Sequence, residues 1–292
     1  MTDRLGAAPV TDVHAHVLLP SLHAEVERRA PDGVRAAADL EFRRNGAASV
    51  AVSGPMVGSR IPKLTDVNVR LADMDAQGVD RQWVSASPNH FYPWAPEGLA
   101  VWIANEANRL VAAHVAQAPE RLTGLGLVPL QHPARILECL DDAVLGRGLA
   151  GVEISSFAGD VELSDERLEP FWSRAAELGA VIFLHPFGCS LDERLDRFYL
   201  ANTVGQPAEN AVALSHLIFA GVLDRHPALK IVAAHGGGYL PFAIGRSDHA
   251  WRVRPDAHVC AHEPSSYLRK IWFDTVVHDP HALRTLVEVA GE

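Results

Sequence analysis

Two patterns of apolar residues alternate along the chain. Short uninterrupted apolar runs, such as VIFL at 181–184 and IVAA at 231–234, are typical of parallel strands that are covered on both faces. Longer segments carry apolar residues every three or four positions, as in 66–77, where Val67, Leu71 and Met74 precede Gly78. That spacing predicts an amphipathic helix that ends at the glycine.

The alternation predicts seven strands with helices between them. The strands are expected at 9–16, 81–87, 122–130, 149–155, 180–185, 229–235 and 271–276. The helices are expected at 66–77, 98–117, 134–145, 168–178, 211–225, 240–252 and 281–289. This order is typical of a (β/α)8 TIM-like barrel, with the eighth strand missing from the given sequence. We expect one barrel domain over 1–292, with the C-terminal part of the barrel beyond residue 292.

The segment at about 18–67 interrupts the alternation and predicts an insertion or cap. It contains a charged helical piece at about 23–38 and a part at 54–62 that is punctuated by Gly, Ser and Pro. Connections this long are usually functional covers or insertions.

Composition narrows the class of protein. The 292 residues include 26 basic and 36 acidic ones, which gives a net charge of −10 without any basic run, so nucleic acid is not an expected partner. No signal peptide is apparent, and the apolar segment 211–223 is too short to cross a membrane. The three cysteines form no CxxC pair, which favours a reducing, cytoplasmic location.

The first strand carries candidate metal ligands. His14 and His16 are two positions apart, so in a strand their side chains project to the same face, about 6–7 Å apart. Imidazole is the commonest side-chain ligand of zinc. Alternatively, both histidines lie on an exposed strand face, with their hydrogen bonds satisfied, and bind no metal.

Further polar residues stand at the ends of other predicted strands. In a barrel these C-terminal ends form the reactive face, and here they carry Glu153, His185, His235 and Asp274. Taken alone, each of these residues could also be an ordinary core residue or a polar residue that ends a strand. Four histidines at strand ends together favour a metal site.

Five motifs resemble one enzyme family. TDVHAH at 11–16, MDAQGVD at 74–80, FLHP at 183–186, AAHGGG at 233–238 and GRSDHAW at 245–251 resemble the amidohydrolase-2 family of the amidohydrolase superfamily. Within it, they are similar to decarboxylases of aminocarboxymuconate semialdehyde and of γ-resorcylate.

The resemblance implies roles for individual residues. His14, His16 and His185 would bind a divalent metal, zinc or else manganese, and His235 would act as acid and base beside it. Arg60 and Arg246 would grip substrate carboxylates, Arg246 in the site of a neighbouring subunit, which implies a homodimer. For both arginines a solvated surface charge is the alternative, and for Arg60 the two readings stay equally open.

One family feature is missing. The resemblance implies a further aspartate ligand in a Gly-Ser/Thr-Asp-Tyr-Pro motif on strand 8, and no such motif occurs here. Asp274 is a candidate replacement. The more ordinary alternative is that Asp274 hydrogen-bonds to a metal ligand without binding the metal itself, or that it caps a helix.

These features predict a metal-dependent decarboxylase of a small aromatic or muconate-like carboxylic acid. Some of the aromatic side chains of Phe91, Tyr92, Trp94 and Phe187 are expected to line its pocket. Two alternatives stay open. One is a metal-dependent hydrolase or cyclase acting on an amide, lactone or ring, and the other is a non-catalytic relative.

Overall fold

The computed structural model describes residues 8–291. Its strands are β1 Thr11–Val17, β2 Arg81–Ala86, β3 Leu122–Leu127, β4 Gly151–Ile154, β5 Phe157–Ala158, β6 Val161–Glu162, β7 Val181–Leu184, β8 Lys230–Ala233 and β9 Ile271–Phe273. Its α-helices are α1 Pro20–Arg29, α2 Pro31–Asn45, α3 Ala47–Thr65, α4 Val67–Gln77, α5 Glu97–Val115, α6 Ile136–Asp141, α7 Glu169–Leu178, α8 Gln206–Phe219, α9 Val222–Arg225, α10 Leu240–Val253, α11 Pro264–Tyr267 and α12 Pro280–Ala290.

Seven strands form one parallel sheet in the order β1-β2-β3-β4-β7-β8-β9. This order and the intervening helices confirm the predicted TIM-like barrel with one strand fewer than eight. Within residues 8–291, the outer edges of β1 and β9 pair with no other strand. All C-terminal strand ends face the same way, which places the histidines of β1 and those after β7 and β8 on one face.

The sheet is held by apolar burial on both faces. All four residues of β4 and all four of β7 are buried, as the uninterrupted apolar runs predicted. On the outside, Phe171 and Trp172 of α7 are almost fully enclosed. Among residues 8–291, no helix combines the length and the apolar character that crossing a bilayer would need.

The part of the insertion at 54–62, which Gly, Ser and Pro punctuate, lies within helix α3, with Pro55 and Pro62 inside. A proline removes one helical hydrogen bond. Since neither α2 nor α3 has a buried residue, water can satisfy the freed carbonyl groups, and the helix continues.

Smaller differences concern element boundaries. The helix expected at 211–225 is two helices, α8 and α9, separated at Gly221, whose φ of 69° is left-handed. The antiparallel β5–β6 hairpin was not predicted. It follows β4 directly and forms part of a cleft described below.

Candidate metal centre

Four imidazole rings meet at the C-terminal face of the sheet. The ring centre of His14 lies 5.0 Å from those of His16 and His185 and 5.3 Å from that of His235. The rings of His185 and His235 are 4.9 Å apart. The fold therefore brings together histidines that are up to 221 positions apart in the sequence.

Asp274 fixes the orientation of His14. Nδ1 of His14 lies 2.5 Å from Oδ2 of Asp274, so this nitrogen donates to the carboxylate, and Nε2 points towards His16. The same carboxylate accepts backbone N–H groups of His235 and Gly236 at 2.7 and 2.8 Å. Asp274 therefore contacts the nitrogen of His14 that faces away from His16.

His16 is oriented by a hydroxyl group from β2. Its Nδ1 lies 3.1 Å from Oγ of Ser85 and 3.9 Å from Oε1 of Glu153. Glu153 is fully buried, and burial raises the pKa of its carboxyl group well above the ordinary value. Nε2 of His16 remains directed at His14, 3.1 Å from Nε2 of that ring.

His185 is oriented by its own loop. Its Nδ1–H donates to the carbonyl oxygen of Pro186 at 2.9 Å, which leaves the Nε2 lone pair available to a ligand. The side chain is only 8% exposed. Hydrogen bonds of this kind, on the nitrogen opposite the ligating one, are the usual support of metal-binding histidines.

Three imidazoles of the cluster, those of His16, His185 and His235, are kept neutral by their surroundings. Burial, with His14 as the next cause, lowers the pKa of His16 to about 3 and that of His235 to about 4. Burial also holds the pKa of His185 well below its ordinary value. Neutral imidazole is the form that binds a metal.

Burial pushes the pKa of Asp274 upward, but the hydrogen bond from His14 and those from the backbone outweigh it and hold the pKa below its usual value. The carboxylate behind His14 is thus charged at neutral pH. A negative group in this position makes the ring it contacts a stronger ligand.

The donor set fits a divalent cation. Two unprotonated Nε2 atoms that face each other at 3.1 Å repel without a proton or cation between them. Two nitrogens bound at 2.0–2.1 Å to one tetrahedral zinc are about 3.3 Å apart. Nitrogen or carboxylate atoms also lie within 4.8 Å of one another in two overlapping groups, His14 with His185 and His235, and His16 with Glu153 and His185.

His235 stands at a sharp reversal after β8. Its φ of 54° is left-handed, as are those of the three glycines that follow. A Cβ atom at Gly238 would lie 2.0 Å from the carbonyl oxygen of Pro207, so the run is also needed for close backbone approach. The His235 ring makes no hydrogen bond within residues 8–291, and it is therefore free to act on a bound molecule.

The two predicted arginines lie in different places. Arg60 of α3 lines a cleft of about 570 Å3 together with His14 and His16. Its exposed guanidinium has no hydrogen-bond or ion-pair partner in the described part of the chain. Arg246 lies exposed on α10 and lines none of the cavities that contain the histidines.

The predicted aromatic side chains do not all face the histidines. Phe187 lines a cavity of about 250 Å3 together with His185. Trp94 and Tyr92 instead line a separate cleft of about 790 Å3, to which Phe187 also contributes. Phe91 packs edge-on against Phe187, with ring centres 5.9 Å apart.

Sequence reasoning missed two contributors. Ser85 had no predicted role, although a polar residue near the end of an apolar strand is the kind of signal that revealed the histidines. Arg44 of α2 lines both aromatic cavities and lies in a predicted cap whose target could not be inferred.

Comparison with known proteins gives one family. The family model described as Amidohydrolase matches residues 11–292. A 2-amino-3-carboxymuconate-6-semialdehyde decarboxylase from Dictyostelium discoideum is 34% identical over 283 residues, which cover 96% of this chain and 78% of that protein.

Solved structures share the fold. A 5-carboxyvanillate decarboxylase from Sphingomonas paucimobilis matches with a TM-score of 0.80 at 26% identity, over 98% of this chain and 86% of that one. A dihydroxybenzoic acid decarboxylase from Polaromonas sp. JS666, solved with manganese and the inhibitor 2-nitroresorcinol, has a TM-score of 0.76 at 22% identity, over 98% and 84%.

Proposed function

The chain belongs to the amidohydrolase family, and from this membership we propose that it is a metal-dependent decarboxylase of a small aromatic or muconate-like carboxylic acid. The membership confirms the resemblance identified from the motifs. The observation that carries the proposal is the convergence of four imidazoles, two of them with facing Nε2 atoms 3.1 Å apart, in a chain 34% identical to a decarboxylase.

We propose His14, His16 and His185 as the metal ligands. Their Nδ1 atoms are engaged by Asp274, Ser85 and Pro186, so their Nε2 atoms are the ones that would bind the cation. Imidazole nitrogens suit zinc better than manganese, which prefers oxygen ligands, and zinc is therefore the proposed ion. A cation held by these residues would supply positive charge that polarises the oxygen atoms of the substrate. Asp274 has a positioning role through His14 in this proposal.

His235 is the proposed acid and base. Its ring is neutral at pH 7, because burial and His14 lower its pKa to about 4, so it can take up a proton from solvent when substrate binds. It then delivers this proton to the carbon that bears the carboxylate. The C–C bond to the carboxylate breaks, its electron pair returns to the unsaturated system, and CO2 leaves.

Arg60 is the proposed anchor of a substrate carboxylate, because its unpaired guanidinium shares a cleft with His14 and His16. We expect Arg60→Ala to raise KM about 10- to 100-fold with little change in kcat, since a charge-assisted hydrogen bond contributes about 1.5–3 kcal/mol. Steady-state kinetics measure this effect. Arg254→Ala, an exposed arginine that follows α10, is the matched control. An unchanged KM in Arg60→Ala would assign Arg60 to the solvated surface.

Arg246 is proposed to reach the site of a partner subunit in a homodimer. It is exposed on α10, and Phe242, one turn before it on the same face, leaves 41% of its surface exposed. Arg246 has no ion-pair partner among residues 8–291, and an apolar side chain beside such an arginine suits a surface that another chain covers.

Mixed dimers test this arrangement. We expect His235→Asn chains and Arg246→Ala chains to be inactive separately. In a random mixture, half of the dimers combine one chain of each kind, and each of these dimers has one intact site out of two. The mixture should therefore recover about a quarter of wild-type activity. A mixture as inactive as its components, or a monomer by light scattering, would rule out a shared site.

A substrate panel tests the function itself. We expect release of CO2 from aromatic or muconic acids and no hydrolysis of lactones or amides. The named relatives are decarboxylases, which favours this outcome over the hydrolase or cyclase alternative. Water addition without CO2 release would favour the hydrolase or cyclase alternative. A purified protein without metal and without activity would favour the alternative of a non-catalytic relative.

We also propose a cytoplasmic location, where the buried thiols of Cys139, Cys189 and Cys260 stay free.

A further inference from the structure

One cleft is larger than the cleft of about 570 Å3 that His14 and His16 line. It measures about 790 Å3 and lies between α2, the loop after β2, the β5–β6 hairpin and the loop after β7. Its size falls within the range of about 300–1,000 Å3 that is usual for small-molecule sites. The cavity beside His185 has only about 250 Å3.

The two spaces adjoin. They share five lining residues, which are Glu41, Arg44, Phe187, Gly188 and Cys189. Phe187 follows His185 by two positions, and its ring lines both spaces. A molecule whose reacting end lies beside His185 therefore has the larger cleft directly next to it.

The walls of the larger cleft are mainly apolar and fixed in place. Val34, Ala37 and Leu40 of α2 face Trp94, Phe157 and Phe187 across it. The indole of Trp94 packs directly on the backbone of α2, since a Cβ atom at Gly33 would lie 2.3 Å from its Cζ3 atom. Only glycine at 33 leaves room for Trp94 in this position.

The charged residues at the rim are already paired with one another. Arg43 contacts the carboxylates of Asp192, Glu193 and Asp196. Nη2 of Arg44 lies 3.5 Å from Asp192 and 3.3 Å from the carbonyl oxygen of Cys189. Nearby carboxylates thus offset the charge of both guanidinium groups, although Nε of Arg44 has no hydrogen-bond partner among the described residues. The apolar walls therefore remain to select the occupant.

We propose that the substrate carries an apolar substituent, an alkyl chain or a second ring, which occupies this cleft while its carboxylate end lies among the histidines. This inference rests on the proposed function and defines its substrate class. Trp94 then contacts the substituent and not the reacting ring, and the α2 helix of the cap determines specificity.

Kinetics on a matched pair of acids test the proposal. We expect kcat/KM for 4-pentyl-2,6-dihydroxybenzoate to exceed that for 2,6-dihydroxybenzoate at least about 30-fold, because each buried methylene contributes to binding. Ala37→Phe should reduce this preference below about 3-fold, because it fills the space that the pentyl chain would occupy. Ala47→Phe, at an exposed position of α3, should retain the preference. Equal kcat/KM values for the two acids, or a preference that filling the cleft does not change, would overturn the proposal.

Binding separates the proposal from the proposed function. Calorimetry compares 4-pentylbenzoate with benzoate on the wild-type protein, on Ala37→Phe and on a second cleft-filling variant, Val34→Trp, which serves if the first does not fold. Tighter binding of the pentyl compound that either variant removes would support the cleft assignment, even if no acid is decarboxylated and the proposed function fails. Decarboxylation of the unsubstituted acid without tighter pentyl binding would retain the function and refute the cleft assignment.

Discussion

His185→Ala is expected to lose its bound metal and to lower kcat/KM at least about 1,000-fold, or about 4 kcal/mol of transition-state stabilisation. The reason is that His185 belongs to both groups of closely spaced ligand atoms, so its removal leaves neither complete. Metal content by mass spectrometry and activity on the same preparation check the two effects together.

His249→Ala is the matched control, because His249 is an exposed histidine of α10 outside the cluster. It should retain wild-type metal content and activity. Full metal occupancy in His185→Ala would remove His185 from the ligand set. Wild-type activity in a metal-free His185→Ala protein would remove the metal from the mechanism.

His235→Asn is expected to lower kcat about 10²- to 10⁴-fold while the metal stays bound, since this is the usual contribution of a positioned acid or base. His235 is assigned to proton transfer and not to the ligand set, so the two variants should separate in metal content. Product formed by the wild-type enzyme in D2O should carry deuterium at the carbon that lost CO2.

Loss of metal in His235→Asn would make His235 a ligand, which its place in one ligand group with His14 and His185 also permits. An unchanged kcat would transfer proton delivery to another group. Circular dichroism of the variant shows whether the fold is retained, so that neither outcome is mistaken for unfolding.

The sequence predicted those features of the fold that follow from burial. The runs VIFL and IVAA are apolar throughout because both faces of β7 and β8 are covered, and such strands leave few alternatives. Once the strands are placed, parallel topology brings their ends to one face. The sequence alone therefore predicts that His185 and His235 lie near His14 and His16.

Side-chain pairing could not be predicted in the same way. Asp274 contacts His14 across 260 positions, and Ser85 contacts His16, through ring orientations that local sequence does not encode. The position of Trp94 in the cleft next to His185 depends on the space that Gly33 leaves for its indole, and such a contact between distant residues is not encoded locally. Helix α3 continues through two prolines because its surroundings are exposed, which local propensity also does not encode.

The left-handed backbone at His235 has a consequence for engineering this protein. A residue with a Cβ atom costs about 1 kcal/mol or more in this region, and glycine, which has none, adopts it without this cost. Replacing His235 by glycine should therefore raise thermal stability while it removes the acid and base. A selection for heat resistance alone would enrich inactive sequences changed at this position, so any such screen must also report turnover.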